Sequence, residues 1–191
     1  MGAQQADLLA TVQDALGPRL VHRGRRPARA ANHASWPEWV DPEVRDRMAA
    51  TGVGSLWSHQ AQAADLLWQG HDVVVATGTA SGKSLAYQLP ALTWARMSRP
   101  RHRSTTIYLA PTKALAADQA AALHARGVPD AAIAVVDGDA TREERDWAAR
   151  YGDIVLTNPD MLHRSLLPGH RRWRELFAGL RLVVVDESHH Y

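Results

Sequence analysis

The sequence predicts an α/β fold, a three-layer α/β/α sandwich around a mainly parallel sheet. Two observations predict it. Five short runs are apolar at nearly every position and rich in β-branched residues: DVVVA at 72–76, TIYLA at 106–110, AIAVV at 132–136, DIVLT at 153–157 and RLVVVD at 181–186. Strands buried on both faces read this way, and the segments between them are long enough for crossover helices. A polar or glycine-bearing segment also follows every run: TGTASGKS, PTKALAADQ, DGDAT, NPDMLH and DESHH. Ligands of open parallel sheets bind beyond the carboxyl ends of the strands, so these five segments should converge along one functional edge.

Taken in order, residues 4–16 set Leu8, Leu9, Val12, Ala15 and Leu16 on one helical face, and Gly17-Pro18 ends the pattern. Residues 19–41 are rich in Arg, Pro and Ala without periodicity. They read as an extended basic arm that Trp36 and Trp39 can anchor to the rest. The expected organisation is therefore an N-terminal helix and arm over 1–40 and a ligand-binding domain over 41–191.

Composition narrows the class. A length of 191 residues suits one domain, or one plus part of a second, and 46% hydrophobic with 22% charged residues is ordinary for a globular chain. The absence of cysteine removes disulfide frameworks, thiolate metal sites and thiol nucleophiles. No apolar run approaches the roughly 20 residues of a membrane span, and the N-terminus lacks the basic start and apolar stretch of a signal peptide. A soluble, cytoplasmic protein is expected. The formal charge is only +2, yet arginines cluster at 19, 23, 25, 26 and 29, at 96, 99, 101 and 103, and at 164, 171, 172 and 174. Each cluster alone is compatible with solvated surface. Among 22 basic residues only Lys83 and Lys113 are lysine, and both fall inside the polar segments. A compact, mobile ammonium that a planar guanidinium cannot replace is one reason for them to survive such a bias.

TGTASGKS, comprising Thr77, Gly78, Thr79, Ala80, Ser81, Gly82, Lys83 and Ser84, has the small residues that let backbone N–H groups face a polyphosphate, with a helix N-terminus behind them. Lys83 would reach the β- and γ-phosphates, and the Ser84 hydroxyl would ligate Mg²⁺. Thr77 stands where the strict phosphate-loop pattern has glycine, so the match is to the looser form. Asp186 and Glu187, at the end of the fifth run, are the expected partners. The first carboxylate would hold the magnesium through water and the second would activate the attacking water.

The order TGTASGKS, PTKALAADQ, TNPDMLH, VVVDESHHY resembles motifs I, Ia, Ib and II of superfamily-2 helicases of the DExH type, over residues 55–191. Within that superfamily the wording is most similar to the DNA-repair helicases related to the bacterial mitomycin repair factor, which typically carry a C-terminal cysteine-rich metal-binding domain. The resemblance implies a P-loop RecA-like domain that binds ATP and Mg²⁺ and serves as the first motor domain of an ATP-dependent nucleic-acid helicase. It implies that Gln60 reads adenine. Pro111, Thr112 and Lys113, with Thr157, Asn158, Pro159 and Asp160, would then contact the backbone of the tracked strand, and His189 would couple the nucleotide site to a second motor domain. The implied partner is single-stranded DNA or a duplex with a single-stranded tail, with RNA as the alternative, and the implied location is the nucleoid. A translocase that moves on duplex without separating strands, and a nucleotide-gated binding module, are the competing readings. The adjacent His189 and His190 have no further histidine or cysteine at ligand spacing, so zinc is not expected.

The resemblance also implies that the chain stops before motif III and a second RecA-like domain. Two expectations follow. The 191 residues alone should show little or no ATPase, because arginines donated across the cleft are worth about 10³–10⁵ in rate in related phosphoryl-transfer systems. The strand that lies between 72–76 and 181–186 in the family should also be missing. Those two runs should then sit about two strand spacings apart, roughly 9–10 Å, or collapse together with distorted register.

Overall fold

The structure is a computed structural model that describes residues 2–22, 24, 30–78, 81–98 and 103–190. Thr79, Ala80, Arg23, Arg25, Arg26, Arg29, Arg99, Arg101 and Tyr191 lie outside the described residues. Two compact units are present, 1–31 and 32–191. The first carries helix α1 (Gly2–Leu16), which covers the helix expected over 4–16, with Leu8, Leu9, Val12 and Leu16 exposed on it. The second begins ahead of Asp41, because β1 (His33–Ala34) pairs antiparallel with β2 (Leu56–Trp57) and ties residues 32–40 to the main body.

In the second unit the local sequence explains where each helix starts. Asp41 caps α2 (Pro42–Ala50), accepting from the Glu43 and Val44 amides at 2.9 and 3.4 Å, with proline at the first helical position. Helix α3 (Ser58–Trp68) follows β2 directly, and α4 (Ser84–Met97) follows the phosphate loop. Thr112 caps α5 (Lys113–Ala125). Thr141 and Glu144 form a reciprocal capping box on α6 (Arg142–Tyr151). Asn158 caps the single turn α7 (Pro159–Met161), which runs into one wide turn at Leu162–Leu166, and α8 (Arg174–Ala178) leads to the last strand.

Four of the five expected strands form: β3 (Thr105–Leu109), β4 (Ile133–Val135), β5 (Ile154–Thr157) and β6 (Leu180–Val185). They make one parallel sheet in the order β4-β5-β3-β6. Alternation along the strands splits the core into two layers. Tyr108, Ile154, Leu156 and Leu182 pack toward α2, α3, α4 and α5, while Ile107, Leu109 and Val155 pack toward α6, Leu166, Trp173 and Leu176. Helix α4 is buried at every residue from Leu85 to Ala95, which makes it the central helix of its layer.

The run 72–76 is a correction to the expected strand. It adopts no strand, and Val74 is 93% exposed instead of buried. Among the described residues no strand lies against it, so its backbone groups have no ladder to join. Strand β6 is correspondingly an edge, with Val183 and Val185 about half exposed, and its pairing with β3 carries a register shift at Thr105/Thr106. The irregular ladder therefore lies between β3 and β6, not between the two runs expected to collapse together.

The tryptophans divide. Trp39, Trp68 and Trp94 stack at 4.4 and 5.3 Å, with Arg181 5.7 Å above Trp94 and the Trp39 Nε1 donating to Asp65 at 2.7 Å. Trp173 is 2% exposed in the second layer. As large apolar side chains Trp57 and Trp147 read as core or helix-packing residues, yet they are 44% and 45% exposed; one stacks on His33 and the other leans on Tyr151. Several described arginines of the basic clusters are committed to structure, Arg172 among them, paired with Asp146 at 2.7 Å. Arg96 pairs with Asp41 and Asp130, and Arg103 donates to the Arg150 and Gly152 carbonyls beside Asp153.

Trp94→Ala is expected to cost about 3–5 kcal/mol, read as a lower urea midpoint at unchanged slope. Burial raises the Asp153 carboxyl above the ordinary carboxylate range, although it accepts from the Ala132 amide. The native state therefore holds that proton more tightly than the unfolded chain, and this stabilisation is full below the unfolded pKa and lost as pH rises through the folded one. Paired denaturant melts should show Asp153→Asn gaining relative stability as pH climbs through the carboxylate range. A pH-independent difference would reject that.

Candidate nucleotide and nucleic-acid site

The phosphate loop is held from two sides. Within it, the Thr77 and Ser81 hydroxyls are 2.7 Å apart, and the Lys83 ammonium folds back to donate to the Thr77 carbonyl at 3.2 Å. Gly78 is exposed, and Ser84 opens α4, whose Leu85 amide donates back to the Gly82 carbonyl at 3.1 Å. From outside, Gln60 enters from α3. It is 2% exposed; its Oε1 accepts from the Trp57 amide at 2.8 Å, and its Nε2 donates to the Gly82 carbonyl at 2.9 Å. His59 Nε2 lies 3.2 Å from the Ser81 carbonyl, a contact that spacing alone did not suggest. Gly82 has φ +72°, so the backbone conformation demands glycine, and a Cβ there would push Gln60 Nε2 from its place.

The acid pair is placed by the sheet. The Asp186 amide continues the β3–β6 ladder, donating to the Leu109 carbonyl at 3.0 Å. Its Oδ1 accepts from the Glu187 amide at 2.9 Å and its Oδ2 from the Tyr108 hydroxyl. Glu187 has φ +48°, the left-handed region that a non-glycine residue occupies only at a cost. His189, in the short 3₁₀ turn Ser188–His190, brings Nδ1 to 3.4 Å from the Glu187 carboxylate and packs its ring on His190.

The other three strand ends share the same edge. The Ala110 amide donates to the Thr157 carbonyl at 2.9 Å and the Val136 amide to the Leu156 carbonyl at 2.8 Å. Pro111 is half-buried there, Thr112 caps α5, and Lys113 donates to Asp139 of the DGDAT segment at 2.5 Å. That hydrogen bond holds the Lys113 ammonium above the ordinary lysine range. The Thr157 hydroxyl is buried and donates to the Val136 carbonyl at 2.6 Å. Asn158 Oδ1 is spent on its cap, Pro159 begins α7, and Asp160 faces Arg164 at 3.9 Å. Motif segments distant in sequence are thus neighbours. Between the loop and the acid pair, by contrast, no hydrogen bond or ion pair forms among the described residues. The segment leading into the loop lies outside the ladder, so the helices hold the loop and the sheet holds the acids.

The donor set fits a magnesium nucleotide. It offers a hydroxyl and a carboxylate, hard oxygens suited to magnesium, together with a lysine cation and the amides of a glycine-bearing turn before a helix.

Comparison with known proteins gives the family. The DEAD/DEAH box helicase family model matches residues 57–191, from β2 through the acid pair. The chain belongs to the DEAD/DEAH box helicase family. It is 42% identical over 170 residues to the ATP-dependent helicase HRQ1 of Saccharomyces cerevisiae, covering 86% of this chain and 15% of that protein. It is 37% identical over 167 residues to the uncharacterized ATP-dependent helicase YprA of Bacillus subtilis, covering 85% of this chain and 22% of that protein. The crystal structure of the DUF1998 helicase MrfA bound to DNA and AMPPNP superposes with a TM-score of 0.85 at 34% identity, covering 95% of this chain and 26% of that one. The fold is accordingly RecA-like, and the resemblance to mitomycin-repair-factor helicases holds. The chain spans about a quarter or less of the length of these relatives. Among the described residues of this DEAD/DEAH box domain, no helix is long and apolar enough to cross a membrane.

Gly82→Ala is expected to destabilise the domain by about 1–2 kcal/mol from the left-handed backbone alone. Because the added methyl also meets Gln60, the pair Gly82→Ala and Gln60→Ala should cost less than the sum of the singles in a double-mutant cycle. Strict additivity would show that Gln60 does not clamp the loop.

Proposed function

We propose that this chain is the first motor domain of an ATP-dependent DNA helicase that binds Mg-ATP in the 77–84 loop and tracks a single strand along the neighbouring strand ends. Residues 41–191 would carry both sites, with 1–40 as an N-terminal helix and basic arm. A second RecA-like domain would close the cleft, and the protein would work in the cytoplasm on the nucleoid.

The observation that carries this reading is the arrangement of Lys83, which starts the central helix α4 and at present satisfies its ammonium on the Thr77 carbonyl. A triphosphate entering the loop offers that ammonium a charged partner in place of a neutral one, and a charge-assisted bond is roughly twice as strong. Gln60 would turn its amide from the Gly82 carbonyl toward adenine, which links base recognition to loop shape. Ser84 and Asp186 would hold magnesium, and the ion supplies neutralisation of charge on the phosphate oxygens. Glu187 would accept the proton of the attacking water, and its left-handed backbone, stabilised by its amide donating to Asp186 Oδ1, would hold the carboxylate off the strand axis. His189, 3.4 Å from the Glu187 carboxylate, would report its state to the second motor domain.

Pro111, Thr112, Lys113, Thr157, Asn158, Pro159 and Asp160 would form the strand-tracking strip. The buried Thr157 hydroxyl and the capping Asn158 carbonyl already have partners, so these two would contribute through backbone groups, which suits contacts that ignore base identity.

In the intact protein, Lys83→Ala is expected to weaken binding of a fluorescent ATP analogue by at least about tenfold and to abolish strand displacement from a tailed duplex. Unchanged affinity and unwinding would overturn the reading.

A further inference from the structure

Tyr108 is the one aromatic residue in the five apolar runs, and it sits in the centre of the sheet. On β3 it is paired in register with Leu156 on one side and Val184 on the other, and it is fully buried. Its ring is fixed from the helical side by Tyr87 of α4, with centroids 5.2 Å apart. A phenol at such a site needs a partner for its O–H, because a buried unpaired hydroxyl is costly. The partner is the Asp186 carboxylate.

Asp186 lies just beyond the last paired residue of β6, the edge strand of the sheet. With no neighbouring strand on that side among the described residues, only hydrogen bonds can set its side-chain angles. Two do so. The Glu187 amide holds Oδ1 and the Tyr108 hydroxyl holds Oδ2. Each carboxylate oxygen keeps a further lone pair, so the carboxylate can still accept from water around an ion while its plane is fixed.

We propose that Tyr108 is a positioning residue that orients the Asp186 carboxylate for the magnesium of the bound nucleotide. This rests on the reading of Asp186 given above. Tyr108 touches neither nucleotide nor metal; it acts through the acid. Its rigidity is the physical basis. A ring packed between two strands and a helix carries few degrees of freedom, so the carboxylate it holds spends less time in orientations that cannot face the ion. Tyr87 serves as the internal comparison. Burial raises its pKa, so it stays a neutral phenol, and its hydroxyl donates to Gln119 of α5 at 2.7 Å instead of to the acid.

The test is a magnesium titration of fluorescent ATP-analogue binding in the intact protein, with affinity in EDTA and melting temperature measured alongside. Tyr108→Phe, which keeps the ring, is expected to raise the magnesium concentration for half-maximal enhancement by about tenfold or more, with EDTA affinity unchanged. Tyr87→Phe should leave the magnesium curve where it is. The proposal is overturned if Tyr108→Phe leaves the curve unmoved, if it weakens binding equally in EDTA, or if Tyr87→Phe shifts the curve as far. Asp186→Asn separates this from the reading beneath it. If that variant retains the full magnesium response, the assignment of Asp186 itself fails; if it loses the response while Tyr108→Phe does not, only the role of Tyr108 fails.

Discussion

One backbone hydrogen bond, from the Asp186 amide to the Leu109 carbonyl, places the Asp186–Glu187 pair of this domain. It is the last rung of the β3–β6 ladder, and it sets the acid pair beside the segment that begins Ala110-Pro111-Thr112. A parallel sheet delivers the carboxyl ends of all its strands to one edge, so a short aspartate just past a strand cannot wander far from the turns that follow its neighbours. The Ala110–Thr157 and Val136–Leu156 bonds repeat the device and carry DGDAT and NPDMLH to the same edge. Parallel pairing thereby turns an order of segments along the chain into a row of groups in space.

The phosphate loop depends on a different support. Its preceding segment runs outside the ladder, so position comes from the buried helix α4 behind it and from Gln60 and His59 at the start of α3. Helices locate the lysine and strands locate the acids, with no described bond between the two groups.

Legibility differed from element to element for physical reasons. The four strands that formed are apolar on both faces and each has a neighbouring strand to take its hydrogen bonds, although β6 at the edge leaves Val183 and Val185 half exposed. The run 72–76 has the same composition, but a strand is stable only where another strand takes its hydrogen bonds, and composition does not say whether that neighbour is present. Capping at Thr112, Thr141 and Asn158 is legible in principle, because each acts within three residues of itself. The exposure of Trp57 and Trp147 was not, because an indole on a helix or short strand reads as core until the absence of a covering layer is known.

The sequence by itself determined the fold class, the glycine-bearing loop before a helix and the identity of the acid pair, all properties of short windows in which residue type dictates backbone shape or charge. Only the tertiary structure decided that Lys113 is paired with Asp139, that Gln60 has both ends of its amide engaged, and that Tyr108 holds Asp186. The Lys113–Asp139, Gln60–Gly82 and Tyr108–Asp186 contacts join residues 26, 22 and 78 positions apart along the chain. What brings them together is the register of strands and the packing of helices on them, which depends on the whole core at once and leaves no mark in any local window.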